Sequence, residues 1–167
     1  MALRNILKIG DDILRKKARE VTAFDDRLWT LLDDMYETLK EVNGAGLAAP
    51  QVGILKRVVV IDTGDGLMEL INPVITMKKG KRYELEGCLS LPGQWGYVDR
   101  PDRVRVKAQN RYGKDQVFEG EGATAMAFCH EIDHLDGILF TDLAIEMADP
   151  EEVEEQEKKR KNKRRRS

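Results

Sequence analysis

The chain has 167 residues, 41% of them hydrophobic and 35% charged, the composition of an ordinary folded domain, which excludes disordered and fibrous proteins. No run approaches the roughly 18 apolar residues of a membrane span, and Lys8, Asp11, Asp12, Arg15 and Lys16 interrupt the first twenty positions, so no secretory leader or membrane contact is expected and the cytoplasm is the expected compartment. The net charge of −2 is unevenly spread: residues 151–167 carry five Glu against eight Lys and Arg, a net of +3, which leaves −5 for residues 1–150.

Leu28, Leu31, Leu32, Met35 and Leu39 recur at helical spacing between Asp25 and Asn43, with Asp25 placed to cap the start and Asn43-Gly44 to close the end. Val58 to Ile61 is a short β-branched run, and Arg103 to Gln109 alternates Val104, Val106 and Ala108 with charged or polar neighbours, so both read as strands. Turn signals at Gly64-Asp65-Gly66, Lys79-Gly80 and Tyr112-Gly113-Lys114-Asp115 separate runs too short for crossover helices, which predicts antiparallel pairing. A second helix is expected over Ala123 to Leu135, stopped by Gly137. After Asp149-Pro150, the segment to Arg166 runs from acidic to basic, the order a helix dipole favours. The expected fold is α+β: antiparallel sheets around a central helix, with an amphipathic N-terminal helix and a charged C-terminal one. Residues 1–148 are read as one catalytic domain and 149–167 as a charged helical tail.

The central helix carries His130-Glu131-Ile132-Asp133-His134, and these are the only two histidines. Residues four apart share one helix face, so both imidazoles can reach one ion, and Glu131 falls where a carboxylate can take a proton from bound water. The plainer reading is two histidines and an acid on an amphipathic surface. A catalytic ion usually takes three protein ligands. In the extended protease pattern the third is another His, but Phe140 stands at that position. A downstream carboxylate among Glu151, Glu152, Glu154 and Glu155 is formally available, although these lie in a run with solvated character. Of the two cysteines, Cys129 reads as a core residue, whereas Cys88 sits in the Gly- and Pro-bounded segment Glu86-Gly87-Cys88-Leu89-Ser90-Leu91-Pro92, able to hold a thiolate rigidly.

Three segments together, Gly44-Ala45-Gly46-Leu47-Ala48-Ala49-Pro50-Gln51, Glu86-Gly87-Cys88-Leu89-Ser90 and His130-Glu131-Ile132-Asp133-His134, resemble in order and spacing the signature motifs of bacterial peptide deformylases. The resemblance extends over nearly all of residues 3 to 143. It implies that Cys88, His130 and His134 bind one divalent ion, ferrous iron in the cell, though a Cys-His-His set also accepts Zn, Ni or Co. It implies removal of the formyl group from N-formylmethionyl peptides with release of formate, water on the ion attacking the formyl carbonyl while Glu131 acts as general base and then acid. Gln51 side-chain N–H and Leu89 backbone N–H become the oxyanion donors, Gly46 allows close approach of substrate, and Ala45, Met126 and Ala127 are expected to line the methionine pocket. Ser90 is not expected to be a nucleophile, because no third His is left to activate it.

Two other readings make different demands. A zinc endopeptidase would use the same helix with a downstream Glu and no Cys88. A non-enzymatic ribosome- or RNA-associated module, suggested by Lys158 to Arg166, would close its ion with four protein ligands. A monomer that meets the ribosome through this basic tail is the expected assembly.

Overall fold

The computed structural model describes residues 2–166. The side chains of Arg160, Lys161 and residues 163–166 are outside the described ones, as is most of the basic run read above as a ribosome contact. Among the described residues no helix is long and apolar enough to cross a membrane.

Helix α1 (Asp26–Glu41) starts at Asp25, whose carboxylate accepts a hydrogen bond from the Leu28 N–H at 3.3 Å and satisfies one orphan donor of the first turn. Its expected apolar face is buried, and the chain leaves the helix through Asn43 at φ +52°, a left-handed conformation that Asn tolerates. The strands follow as β1 (Gly46–Ala48), β2 (Val58–Ile61), β3 (Met68–Lys79), β4 (Arg82–Cys88), β5 (Leu91–Arg100), β6 (Arg103–Gln109) and β7 (Asp115–Glu121). Helix α2 (Ala123–Leu135), a short α3 (Phe140–Leu143), the two-residue β8 (Glu146–Met147) and α4 (Pro150–Arg166) complete the chain. Five strands form one sheet in the order β1-β2-β3-β6-β7, and β4-β5-β8 form a second, every pairing antiparallel.

The continuously apolar β2 lies between two helices. Val59 and Ile61 pack into the cluster that contains Phe128, Ile132 and Leu135 of α2, while Val58 and Val60 pack into the cluster of Leu28, Leu32 and Met35 of α1. A strand covered on both faces has no polar side to show, which explains its lack of alternation. β6 is covered on one face only. Val104, Val106 and Ala108 point inward, and Arg103, Arg105 and Lys107 face water, where they meet Glu121, Glu119 and Asp115 of β7. The chain passes from the first sheet to the second through Gly80 at φ +71°.

Helix α2 is apolar on most sides and buried for most of its length, packed against β1, β2, β5 and β7. It therefore presents its polar residues to an interior lined by both sheets. Opposite it, β4 and β5 close through Leu89-Ser90, and the register jumps so that Gly87 faces Trp95 while Cys88 faces Leu91. The three residues between Leu91 and Trp95 form a bulge, a device that re-aims side chains beside sites.

Candidate metal centre

One turn of α2 brings His130 Nε2 and His134 Nε2 to 3.2 Å of each other, and Cys88 Sγ, at the end of β4, lies 3.3 Å from His134 Nε2. The three donor atoms all fall within 4.8 Å of one another. With metal–nitrogen bonds of about 2.0–2.1 Å and metal–sulfur bonds of about 2.3 Å, tetrahedral geometry separates donors by roughly 3.3–3.5 Å. The spacing fits one ion with one position free. Burial and the neighbouring His130 push His134 down to about 3, so its ring is neutral and its Nε2 lone pair can ligate.

His130 is oriented from behind. Its Nδ1 donates to the Glu86 carboxylate, which leaves Nε2 facing Cys88 and His134. Arg100 in turn donates to both oxygens of Glu86, at 2.7 and 2.9 Å, and to Asp133 on α2 at 2.7 Å. Burial alone would raise Glu86, but hydrogen bonds from His130 and Arg100 outweigh it and hold the carboxyl at about 2. Burial likewise disfavours a charged His130, yet Glu131, Cys88 and Glu86 hold it well above the usual imidazole value. This pocket attracts positive charge, and a divalent ion supplies it without a proton on the ligating nitrogen.

In the sequence Glu86 and Asp133 stand out only as members of motifs, and Arg100 not at all. Partners behind a ligating His typically contribute 10–100-fold in metal affinity. Glu86→Gln is therefore expected to weaken metal binding by roughly 10–100-fold. It is also expected to destabilise the fold by about 3–5 kcal/mol, since it leaves the buried Arg100 charge poorly compensated. A chelator competition and a denaturant titration check the two effects, and unchanged affinity would remove Glu86 from the account.

Glu131 is buried beside the ligands, with Oε2 at 4.0 Å from His130 Nε2, and its Oε1 has no hydrogen-bond partner among the described residues. Burial pushes its carboxyl up to about 7. A carboxyl poised near neutrality can both accept and return a proton, and a cation nearby would pull it lower. Gly46 explains how the carboxylate fits. A Cβ at Gly46 would stand 2.7 Å from Glu131 Oε2 and 2.8 Å from its Cγ, so the glycine makes room for the acid as well as for anything approaching along β1.

Gln51 is almost wholly buried, at 1% exposure, and its orientation follows from its neighbours. Its Oε1 accepts from the Ala48 N–H at 2.9 Å, so Nε2 must face the site, 3.1 Å from Ser90 Oγ and 3.7 Å from Cys88 Sγ. Leu89 occupies the turn directly after Cys88, half-buried against the α1 cluster. Ala45 is exposed at the entrance to β1, while Met126 is half-buried and Ala127 buried on the first turns of α2. Cys129 is buried in the core, where burial pushes its thiol up.

Two imidazoles and a sulfur around one point, with a buried carboxyl alongside, fit a hydrolase that works through a single metal ion. A family model described as Polypeptide deformylase matches residues 3–150. The chain is 58% identical over 164 residues to a protein of Acetivibrio thermocellus named peptide deformylase, covering 98% of this chain and 96% of that one. It is 57% identical over 155 residues to another of that name from Caldicellulosiruptor bescii, covering 93% of each. Among solved structures, peptide deformylase from Thermotoga maritima superposes with a TM-score of 0.84 at 41% identity, covering 86% of this chain and 99% of that one. A peptide deformylase from Legionella pneumophila gives 0.83 at 40% identity over 99% and 98%. The chain belongs to the polypeptide deformylase family, metal-dependent enzymes that remove the N-formyl group from nascent peptides.

Proposed function

We propose that this chain performs its family's reaction with Cys88, His130 and His134 holding one ion, ferrous iron in the cell, and with Glu131 moving the proton. The convergence of those three donor atoms beside the Glu131 carboxyl carries the proposal. When bound, the ion supplies Lewis-acid chemistry that brings the pKa of a water down to about 7. Glu131 takes the proton from the attacking water and returns it to the amine as the formyl C–N bond breaks, leaving formate and a free N-terminus. A formamide is a weak electrophile, so charge on its oxygen must be met as it develops. Gln51 Nε2–H and Leu89 N–H are the donors for it, and removing one such donor typically costs on the order of a hundredfold. Ala45, Met126 and Ala127 bound the place for the methionine side chain.

Formate release from a formyl-Met tripeptide, set against cleavage of the same peptide at its internal bonds, tests this reading. Formate without internal cleavage is expected, and internal cleavage would return the endopeptidase reading. Residues 1–148 form the catalytic unit, working as a monomer in the cytoplasm. The tail from 149 onward is proposed to dock on the ribosome, because eight Lys and Arg between Lys158 and Arg166 can neutralise RNA phosphates. A chain ending at Glu157 should deformylate a short peptide at the parent rate. It should bind ribosomes markedly more weakly, with a shallower salt dependence, and equal ribosome affinity for the two lengths would leave the tail without this role.

A further inference from the structure

The two proposed oxyanion donors stand on separate segments, Gln51 in the helical turn Ala49–Val52 and Leu89 in the β4–β5 turn, and a third segment ties the two together. Ahead of a single helical turn at Asp12–Arg15, the Leu7 N–H donates to the Gln51 carbonyl at 2.7 Å and the Ile9 N–H to the Ser90 carbonyl at 2.9 Å. Between them, Lys8 Nζ donates to the Leu89 carbonyl at 3.2 Å. The cross-tie continues inside the site, where Gln51 Nε2 donates to Ser90 Oγ, on a serine with no exposed surface. Three consecutive residues thus grip both donor-bearing segments from outside.

We propose that Leu7–Ile9 is a positioning strap of the active site, fixing Gln51 and Leu89 at one separation so that both donors meet the same developing oxyanion. The proposal rests on the oxyanion roles given above. Its physical basis is that donors act through preorganisation: misplacement on the order of 1 Å can lower a rate by about a hundredfold without loss of binding.

The local turn offers a way to cut one tie and displace the loop it holds. Lys8 to Asp11 form a turn, with the Asp11 N–H bonded to the Lys8 carbonyl at 3.1 Å and Gly10 at φ +101°. That φ belongs to the third position of a type II turn, whose second position, Ile9, favours proline. Ile9→Pro therefore keeps the turn, deletes the N–H that reaches Ser90 and puts the ring Cδ in its place, so the Ser90 carbonyl must move away, while Ile9→Ala removes the side chain and keeps the N–H.

The experiment measures kcat and KM on a formyl-Met peptide for both variants, alone and combined with Gln51→Ala, with metal content and thermal midpoint recorded for each. The strap predicts that Ile9→Pro has kcat on the order of tenfold below Ile9→Ala, at similar KM, metal content and midpoint. That ratio should shrink toward one in the Gln51→Ala background, because one donor alone needs no spacing. As an independent arm, Lys8→Met should lower kcat several-fold and Lys8→Arg should restore it. Equal kcat for Ile9→Pro and Ile9→Ala, or a ratio unchanged by Gln51→Ala, overturns the strap. A Gln51→Ala variant as fast as the parent would instead overturn the oxyanion assignment, and the strap with it.

Discussion

Glu131→Gln is expected to bind one ion per chain like the parent and to release formate about a thousandfold more slowly. General acid–base catalysis contributes typically 10²–10⁴-fold, and Glu131 is the buried carboxyl beside the donor set whose second oxygen is free for a water or a leaving amine. Glutamine keeps the volume next to Gly46, where there is no space to spare, so the ligands should stay in place. The loss should therefore fall on kcat and leave metal stoichiometry untouched. Metal analysis and steady-state kinetics on the same sample decide the matter. Activity within a few-fold of the parent would show that another group moves the proton.

Cys88→Ala is expected to do the reverse and empty the site. The sulfur ends β4 and faces the helix that carries both imidazoles, so only the two rings remain once it is gone. Losing a partner behind a ligand costs roughly 10–100-fold in affinity, and losing the only anionic ligand should exceed that. The variant should retain little metal after dialysis and show formate release in proportion to what it retains. Parent-like stoichiometry after dialysis would mean that some other side chain completes the set, which is what the endopeptidase reading requires.

The parts of the fold that were legible in the sequence are those whose burial has a simple period. β2, β6 and α2 occupy the spans expected from the sequence, because each is covered on both faces, on one face, or nearly all round. α1 differs only at its ends. The three strands from Met68 to Arg100 show no such period in the sequence. Asn72-Pro73 interrupts β3, where Asn72 takes φ +54° so that its side chain can bond the backbone of Val21, and β4 and β5 contain glycines that make room for rings, as Gly87 does for Trp95. Those residues read as breakers in a linear pattern and become close approaches in three dimensions.

The same contrast holds at the site. His130 and His134 are neighbours by helical period, and Cys88 could be proposed from its rigid surroundings. The link from Asp133 through Arg100 to Glu86 depends on β5 running beside β4 under α2, and no local spacing encodes it. By resemblance, Gly46 in the sequence implies room for substrate to approach. Its steric relation to Glu131 appears only once β1 and α2 are packed together. Residues 7–9 carried no motif at all, since what they contribute is backbone N–H groups.

That one ion on Cys88, His130 and His134 sustains deformylation is open to direct test. Titrating chelator-stripped protein with Fe2+ under anaerobic conditions, and following formate release from a formyl-Met peptide at each addition, tests it most directly. The rate should rise linearly from near zero and break at one equivalent per chain, with Cys88→Ala showing no such break. Formate release by the stripped protein, or a break at two equivalents, would contradict the account.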